Sequence, residues 1–263
     1  MPWLLLLACA QGRPEAYANC TVTATVVPMA DDPYTWTYVY DDRGREVARS
    51  LASAEAAGEG TTTWEGDCAV LTEGEWDYGD GLWSVGKTRQ TCDGHGHVEH
   101  EDWVYRGDYG TGPHEGSAAY DWSYEHDAQG RVVAVWEGVG APGDGVTRYA
   151  WAAPCEEPVE ARWASAEFSV RETRVCRLDG RDLTVEAEAR DLAGNVLEFR
   201  RTMYTYDGLG RRVSRESDTG PGSDIVARQA WTWDAISPGP VEEIEERDGD
   251  VQWTVTYTYD CEG

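Results

Sequence analysis

The chain has 263 residues, which is enough for one or two ordinary domains or for one elongated array. Its net charge is −27, with 49 acidic against 22 basic residues. This argues against nucleic acid as a partner, because phosphate binding needs a basic surface. Tyrosine, tryptophan, valine and threonine dominate stretches that alternate with a period of two, such as "TVTATVV" at 21–27 and "WTVTYTY" at 253–259. The predicted fold class is all-β, an antiparallel meander of consecutive β-hairpins.

The N-terminal stretch "MPWLLLLACA" predicts export and a lipid anchor. Its residues from Leu6 to Cys9 resemble the bacterial lipobox, in which a signal segment (here 1–8) is cut before a cysteine that is then acylated. Two acyl chains anchor a protein stably, so Cys9 would attach the protein to a membrane through palmitate-type chains, with 9–17 as a tether. Ala10 after the cysteine indicates the outer membrane of a Gram-negative cell. The alternative is that the apolar run is a buried strand.

A pattern of the form Tyr-x-[Tyr/His]-Asp-x-x-Gly-Arg occurs three times. Its alternate aromatic residues share one face of a strand. Its Asp accepts hydrogen bonds from turn amides, and its Gly takes the positive φ that closes a hairpin. Each copy therefore predicts a β-hairpin, which needs neighbours to be stable. The residues that carry the pattern are Tyr38, Tyr40, Asp41, Gly44, Arg45, Tyr124, Asp127, Gly130, Arg131, Tyr204, Tyr206, Asp207, Gly210 and Arg211.

Six cysteines remain beyond Cys9, and in an exported chain they are predicted to be disulfide-bonded. They frame three tandem modules, 18–70, 86–157 and 168–263, which could form one continuous sheet. Two pairing schemes fit this frame. The favoured one pairs cysteines within modules, 20–68, 92–155 and 176–261, and the other staples module to module at 68–92 and 155–176. The six residues are Cys20, Cys68, Cys92, Cys155, Cys176 and Cys261.

The segment "HGHVEHEDW" at 95–103 holds three of the five histidines. On a strand, His95, His97 and Glu101 would share one face, and imidazoles and carboxylates bind zinc and other transition metals. A metal site at these three residues is one hypothesis, and an exposed polar hairpin is the favoured alternative. No nucleophile elbow or phosphate-binding loop occurs in the sequence, and no cofactor is predicted.

The repeated pattern resembles the YD or RHS repeat of bacterial surface and secreted proteins. The resemblance implies consecutive hairpins that coil into a long antiparallel sheet, and it carries over architecture rather than activity. Ligand-binding members of that family are linked to carbohydrate. Aromatic pairs such as Tyr149/Trp151 or Trp231/Trp233 would stack on sugar rings, although filling a shallow core is the favoured role for them.

The sequence therefore predicts a non-enzymatic, lipid-anchored bacterial surface protein that serves as a structural or binding module. A glycan or another surface protein is the expected partner. One alternative is a metal-dependent enzyme or metal-binding protein that uses the cluster of His95, His97 and Glu101. The other alternative is a carbohydrate-binding protein with exposed aromatic side chains.

Overall fold

The computed structural model describes residues 14–29, 31–108, 110–137, 146–153, 155, 157–164, 168–177, 180–219 and 225–261. The predicted signal segment and the lipidation site Cys9 lie outside the described residues. Within them the chain is all-β apart from a short 3₁₀ turn at Pro14–Tyr17. No helix in this part of the chain is long and apolar enough to cross a membrane.

Side chains along the strands alternate between the two faces of the sheet, as the sequence predicts. In the first strand the even-numbered positions from Cys20 to Val26 are buried, and the threonines between them are half-buried. The first nine strands are β1 (Cys20–Pro28), β2 (Tyr34–Tyr40), β3 (Glu46–Ala52), β4 (Ala57–Glu65), β5 (Cys68–Gly79), β6 (Leu82–Cys92), β7 (Val98–Asp108), β8 (Pro113–His126) and β9 (Val132–Glu137). The next nine are β10 (Val146–Ala150), β11 (Glu160–Ala164), β12 (Phe168–Cys176), β13 (Asp182–Asp191), β14 (Val196–Tyr206), β15 (Arg212–Asp218), β16 (Ile225–Thr232), β17 (Glu242–Arg247) and β18 (Asp250–Cys261).

Consecutive strands pair antiparallel wherever their register is described, as in β2 with β3, β5 with β6 and β14 with β15, which confirms the predicted meander. β1 pairs with β2 on one side and with β18 on the other. The 18-stranded sheet therefore closes on itself as a β-barrel. This closure overturns the resemblance to YD or RHS repeats. That identification was wrong, because an open repeat sheet does not join its first strand to its last.

Contacts divide the chain into two compact units. Unit 1 comprises the described residues up to 119 together with 231–244 and 251–261. Unit 2 comprises the described residues of 120–230 together with 245–250. The division of the sequence into three cysteine-framed modules stays a prediction.

Unit 1 has an apolar core on one face of β1, β2 and β18. Val22, Ala24 and Val255 are fully buried there, and Tyr38 and Tyr257 are nearly so. Register explains this grouping, because Val22 lies opposite both Tyr38 and Tyr259, and Ala24 lies opposite Tyr257. Directly opposite residues of antiparallel strands point to the same side.

The exposed face of β4 to β7, also in unit 1, is charged. Glu59 lies opposite Glu75 in the register of β4 and β5, and both are exposed. Glu73 faces Lys87 across β5 and β6, and their side chains form an ion pair of 2.8 Å. This face of unit 1 is therefore suited to water.

Unit 2 buries polar side chains that pair with one another. The Asp218 carboxylate is 2% exposed and accepts hydrogen bonds from the Arg201 guanidinium, the shorter of them 2.6 Å. The Thr202 and Ser217 hydroxyls are 3.2 Å apart and buried. Buried polar groups cost free energy unless they are hydrogen-bonded, so these pairs stabilise the unit only as complete sets. Thr202, Ser214, Ser217, Asp218, Gln229 and Glu245 are the buried polar residues described in unit 2.

The three disulfides are Cys20–Cys261, Cys68–Cys92 and Cys155–Cys176. All six predicted cysteines are thus bonded, but the favoured pairing within modules was wrong. The physical reason is strand direction. Cys68 begins β5 and Cys92 ends β6, so the antiparallel hairpin brings them together. Cys20 and Cys261 are register partners at the seam between β1 and β18.

Candidate functional site: an arginine and tryptophan groove

The first predicted repeat turn is a structural unit. One carboxylate oxygen of Asp41 accepts the backbone amides of Arg43 and Arg45, each at 2.9 Å, and the other accepts the Arg45 guanidinium. Burial pushes the pKa of Asp41 up, but the hydrogen bonds from Arg45 and Arg43 outweigh it and hold that pKa below its ordinary value. This carboxylate serves the turn, not a reaction.

The other two copies repeat this geometry. Asp127 accepts from Arg131, and Asp207 accepts from Arg211, with the same backbone and guanidinium bonds. The predicted glycine conformation is confirmed, since φ is 74° at Gly44, 79° at Gly130 and 78° at Gly210. The three turns therefore have the same structure.

The histidine segment forms a further turn of this kind. Asp93 accepts the amides of His95 and His97 at 2.8 and 2.9 Å, and its other oxygen lies 3.3 Å from Nδ1 of His97. His97 thus stands where the other turns have arginine. The expectation that both histidines extend along a strand was wrong, because β7 begins after them, at Val98. Among the described residues, no metal-ligand cluster joins His95, His97 and Glu101.

The aromatic residues that the sequence analysis considered for sugar binding contact other parts of the protein. Trp151 donates its indole N–H to the carbonyl of Val132 at 2.7 Å, and the Arg131 guanidinium lies over its ring at 5.3 Å. Trp231 is only 8% exposed. Burial raises the pKa of Tyr149, with Glu172 adding to the shift. The Trp151 ring therefore has Arg131 over one face, and the Trp231 ring is buried.

An open groove in unit 2 has a volume of about 900 Å³. Four arginines line it, in a chain that carries 49 acidic against 22 basic residues. Two tryptophans, one glutamate and several small or apolar residues complete the lining. The lining residues are Trp136, Val146, Arg148, Arg162, Trp163, Ala164, Ser169, Val170, Arg171, Glu188 and Arg190.

Three of the arginines form a ladder across adjacent strands. Arg148 on β10 lies opposite Arg162 on β11, which lies opposite Arg171 on β12. Arg171 in turn faces Glu188 on β13. Directly opposite like charges destabilise a sheet, so this arrangement costs stability. A ladder that lowers the stability of its own sheet is a candidate for a binding role.

Carboxylates neutralise only part of this ladder. Glu160 accepts hydrogen bonds from Arg162 at 2.9 Å and from Arg171 at 2.5 Å, and these two bonds hold its pKa below the ordinary value. Arg190 is paired with Glu188. Among the described residues, none forms a hydrogen bond or ion pair with Arg148. The side chains of Arg162 and Arg171 are 61% and 57% exposed, so their guanidinium groups remain accessible.

Trp136 supplies an aromatic surface at one end of the ladder. It is the register partner of Val146, two residues before Arg148 on β10, so it points to the same side as the arginines. An indole ring packs against the apolar face of a flat ligand, and guanidinium groups bind carboxylate or phosphate in a fork. The groove therefore combines an anion-binding row with a stacking surface.

Sequence reasoning missed this site because its residues are spread over 136–190. The signal is faint but present, since "VTRYA", "EARWA" and "SVRET" each place one arginine within a short β pattern. Only the pairing of the strands shows that the three arginines are aligned.

No protein-family model matches the chain, and no curated protein is similar to it. Among solved structures, the chain is similar to a porin-like protein from Bacteroides uniformis, with 12% identity and a TM-score of 0.41 over 95% of this chain and 100% of the other. It is also similar to a porin-like protein from Bacteroides vulgatus, with 11% identity and a TM-score of 0.41 over 90% and 97% of the two chains.

Proposed function

We propose that this chain is an exported, non-enzymatic binding protein that takes an anionic ligand in the arginine and tryptophan groove. The observation that carries the proposal is the ladder of Arg148, Arg162 and Arg171, which is aligned and exposed in an acidic protein. A hydrogen bond to a charged group contributes about 1.5–3 kcal/mol. Two or three such bonds support dissociation constants between about 1 mM and 1 µM once the costs of association are met.

The composition of the groove favours binding over catalysis. Among its described lining residues there is one carboxylate, Glu188, and it is paired with Arg190. No described histidine or cysteine lines it. General acid–base chemistry needs a titratable group within reach of the ligand, and a guanidinium does not supply one at neutral pH.

The proposed location is the surface of a Gram-negative outer membrane, with acyl chains on Cys9 as the anchor. Three disulfides support an oxidising compartment. The anchor is tested by labelling the full chain with palmitate in a Gram-negative host. Labelling should disappear in Cys9→Ser, and labelling that survives this substitution would contradict the anchor.

A barrel that spans the membrane is the second candidate, because a closed sheet is the form in which β-strands cross a bilayer. The charged face of unit 1 argues against it. Glu59 on β4 lies opposite Glu75 on β5. Arg106 on β7 is in register with these two residues and forms one row with them across the strands. A membrane-spanning barrel would have to turn this row away from lipid, because an arginine or lysine facing lipid at mid-bilayer costs about 2–4 kcal/mol. We therefore favour attachment by lipid over insertion of the sheet.

Binding is tested by retention of the full, oxidised chain on a carboxylated dextran resin, with neutral dextran as the reference. The wild-type chain should be retained in spite of its net charge and should elute with salt. The triple variant R148Q/R162Q/R171Q should pass through. Arg89→Gln, at an exposed position on β6 of unit 1, is the matched control and should be retained. Passage of the wild type, or equal retention of the triple variant, would contradict the proposal.

A further inference from the structure

We infer that the ligand of the groove is a linear acidic polysaccharide, of the uronate type, that lies across the strands with successive carboxylates on successive arginines. This inference rests on the proposed function and deepens it. The geometry that points to it is the direction of the ladder. Arg148, Arg162 and Arg171 run perpendicular to the strands, one arginine on each of three neighbouring strands.

The spacing of the ladder fits a polymer with one charge per sugar residue. Neighbouring strands are about 4.8 Å apart, and one sugar residue in a linear chain is comparable in length. A single small anion would occupy one step of the ladder, whereas a polymer of uronates would meet all three. The fork geometry of each guanidinium matches a carboxylate in two parallel hydrogen bonds.

The neutral surfaces of the groove fit the rest of a sugar. Trp136 lies beside the first arginine step and presents an indole ring of the kind that packs against the apolar face of a pyranose. Ala164 and Ser169, which are register partners on β11 and β12, leave room beside the ladder because their side chains are small. The sugar rings would thus contact Trp136 and the small residues, and the carboxylates would bind the arginines of the same groove.

The chain's own charge argues for a sparsely charged polymer. Duplex DNA carries one charge per about 1.7 Å of its axis, and beyond the ladder it would meet a protein whose net charge is −27. A polyuronate carries far fewer charges for its length, so the repulsion outside the groove is smaller. At physiological salt, repulsion from exposed charges that lie more than about 8 Å away is largely screened, which leaves the local ladder to decide binding.

The test is a length series of galacturonate oligomers, from monomer to hexamer, titrated calorimetrically into the full, oxidised chain. Affinity should rise at least tenfold from monomer to trimer and then level off, because the ladder has three steps. Fully methyl-esterified oligomers of the same length should bind at least tenfold more weakly, since they keep the sugar and lose the charge.

Variants localise the effect. Arg148→Gln, Arg162→Gln and Arg171→Gln should each weaken trimer binding about threefold to tenfold and leave monomer binding less affected, and Trp136→Ala should weaken trimer binding comparably. Arg89→Gln should change nothing. Equal affinity for monomer and trimer, or tighter binding of oligothymidylate or polyphosphate than of the uronate trimer, would overturn the polysaccharide inference while leaving anion binding in place. Absence of binding to every anion would overturn both.

Discussion

The two compact units bury different kinds of side chain. Unit 1 packs valines, tyrosines and one alanine around β1, β2 and β18. In the described part of unit 2, Ala134 is the one buried hydrophobic residue, whereas six polar residues are buried there. Unit 1 thus follows the usual rule that apolar burial stabilises a fold in proportion to the area removed from water. Unit 2 depends on hydrogen bonds and ion pairs that must be complete.

This difference predicts different sensitivity to substitution. An apolar core tolerates changes that keep its volume. A buried polar pair loses most when one partner is removed, because the remaining group is left without a partner in a region of low dielectric. The groove lies in unit 2, so the unit that binds the proposed ligand is also the one held together by polar pairs.

The largest expected effect is the loss of the disulfide at the seam of unit 1. Cys20 and Cys261 are 241 residues apart, whereas Cys155 and Cys176 of unit 2 are 21 apart. In the chain-entropy model, closing a longer loop removes more freedom from the unfolded chain, which gives about 5 kcal/mol for the first bridge and about 3 kcal/mol for the second. Denaturant unfolding of C20A/C261A and C155A/C176A measures both losses. An equal or larger loss in the second variant would contradict this ranking.

The pairing of β1 with β18 is also the part of the fold that could not be predicted from the sequence. The alternation of β1 and the Asp–Gly turns are local, so the strands, the hairpins and the bonded state of the cysteines follow from the sequence. Closure is not local, because it depends on β1 and β18 meeting in one register, with Cys20 opposite Cys261. The Cys20–Cys261 bridge was missed for the same reason, whereas the alternative scheme correctly gave the local bridges Cys68–Cys92 and Cys155–Cys176.

The groove was beyond prediction on different physical grounds. A shift of one residue in register turns every side chain of a strand to the other face. The alignment of Arg148, Arg162 and Arg171 therefore depends on two independent registers, that of β10 with β11 and that of β11 with β12. The histidine segment, by contrast, forms the polar hairpin turn that the sequence favoured, and only the alternative that extends His95 and His97 along a strand was wrong.

The second prediction concerns the buried ion pair of unit 2. Arg201→Met should lower the free energy of unfolding by about 3–5 kcal/mol, because it removes the guanidinium whose hydrogen bonds hold the buried Asp218 carboxylate. Lys87→Met in unit 1 is the matched control. Its ion pair with Glu73 is exposed, so the loss should be about 0–1 kcal/mol.

The double variant R201M/D218L sharpens this prediction. Since both charges are removed, it should recover most of the stability lost in Arg201→Met. Chemical denaturation of the three variants decides the matter. Similar losses for Arg201→Met and Lys87→Met would mean that unit 2 does not depend on its buried charge pair.

A smaller effect is expected at the repeat turns, which occur in both units. Gly210→Ala should lower the free energy of unfolding by about 1–2 kcal/mol, because its φ of 78° places a Cβ in the left-handed region. That Cβ would also meet the Arg181 guanidinium, which must shift. Gly208→Ala is the control within the same turn, since φ is not positive there and nothing lies near the added carbon.

The equivalent changes at Gly44 in unit 1 and Gly130 in unit 2 should behave alike, with φ of 74° and 79°. Thermal melts of the four alanine variants test this together. Equal costs for Gly208→Ala and Gly210→Ala would show that positive φ is not the cause. Clearly different costs for Gly44→Ala and Gly130→Ala would show that the turns are not equivalent.

The smallest expected effect is a pH dependence that both units should show equally. The pKa of Asp41 in unit 1 and the pKa of Asp207 in unit 2 both lie below the ordinary value, because hydrogen bonds from Arg45 and Arg211 and from turn amides outweigh burial. A carboxyl with a depressed folded-state pKa stabilises the fold fully above its unfolded-state pKa of about 3.9. That contribution is lost as the pH falls through the lower folded-state value.

The melting temperature of Asp41→Asn should therefore lie below that of the wild type at pH 7, and the difference should shrink at pH 3. Asp42→Asn, at the exposed neighbouring position, is the control and should follow the wild type at both values of pH. A difference that stays constant between pH 7 and pH 3 would show that the turn depends on the shape of the Asp41 side chain and not on its charge.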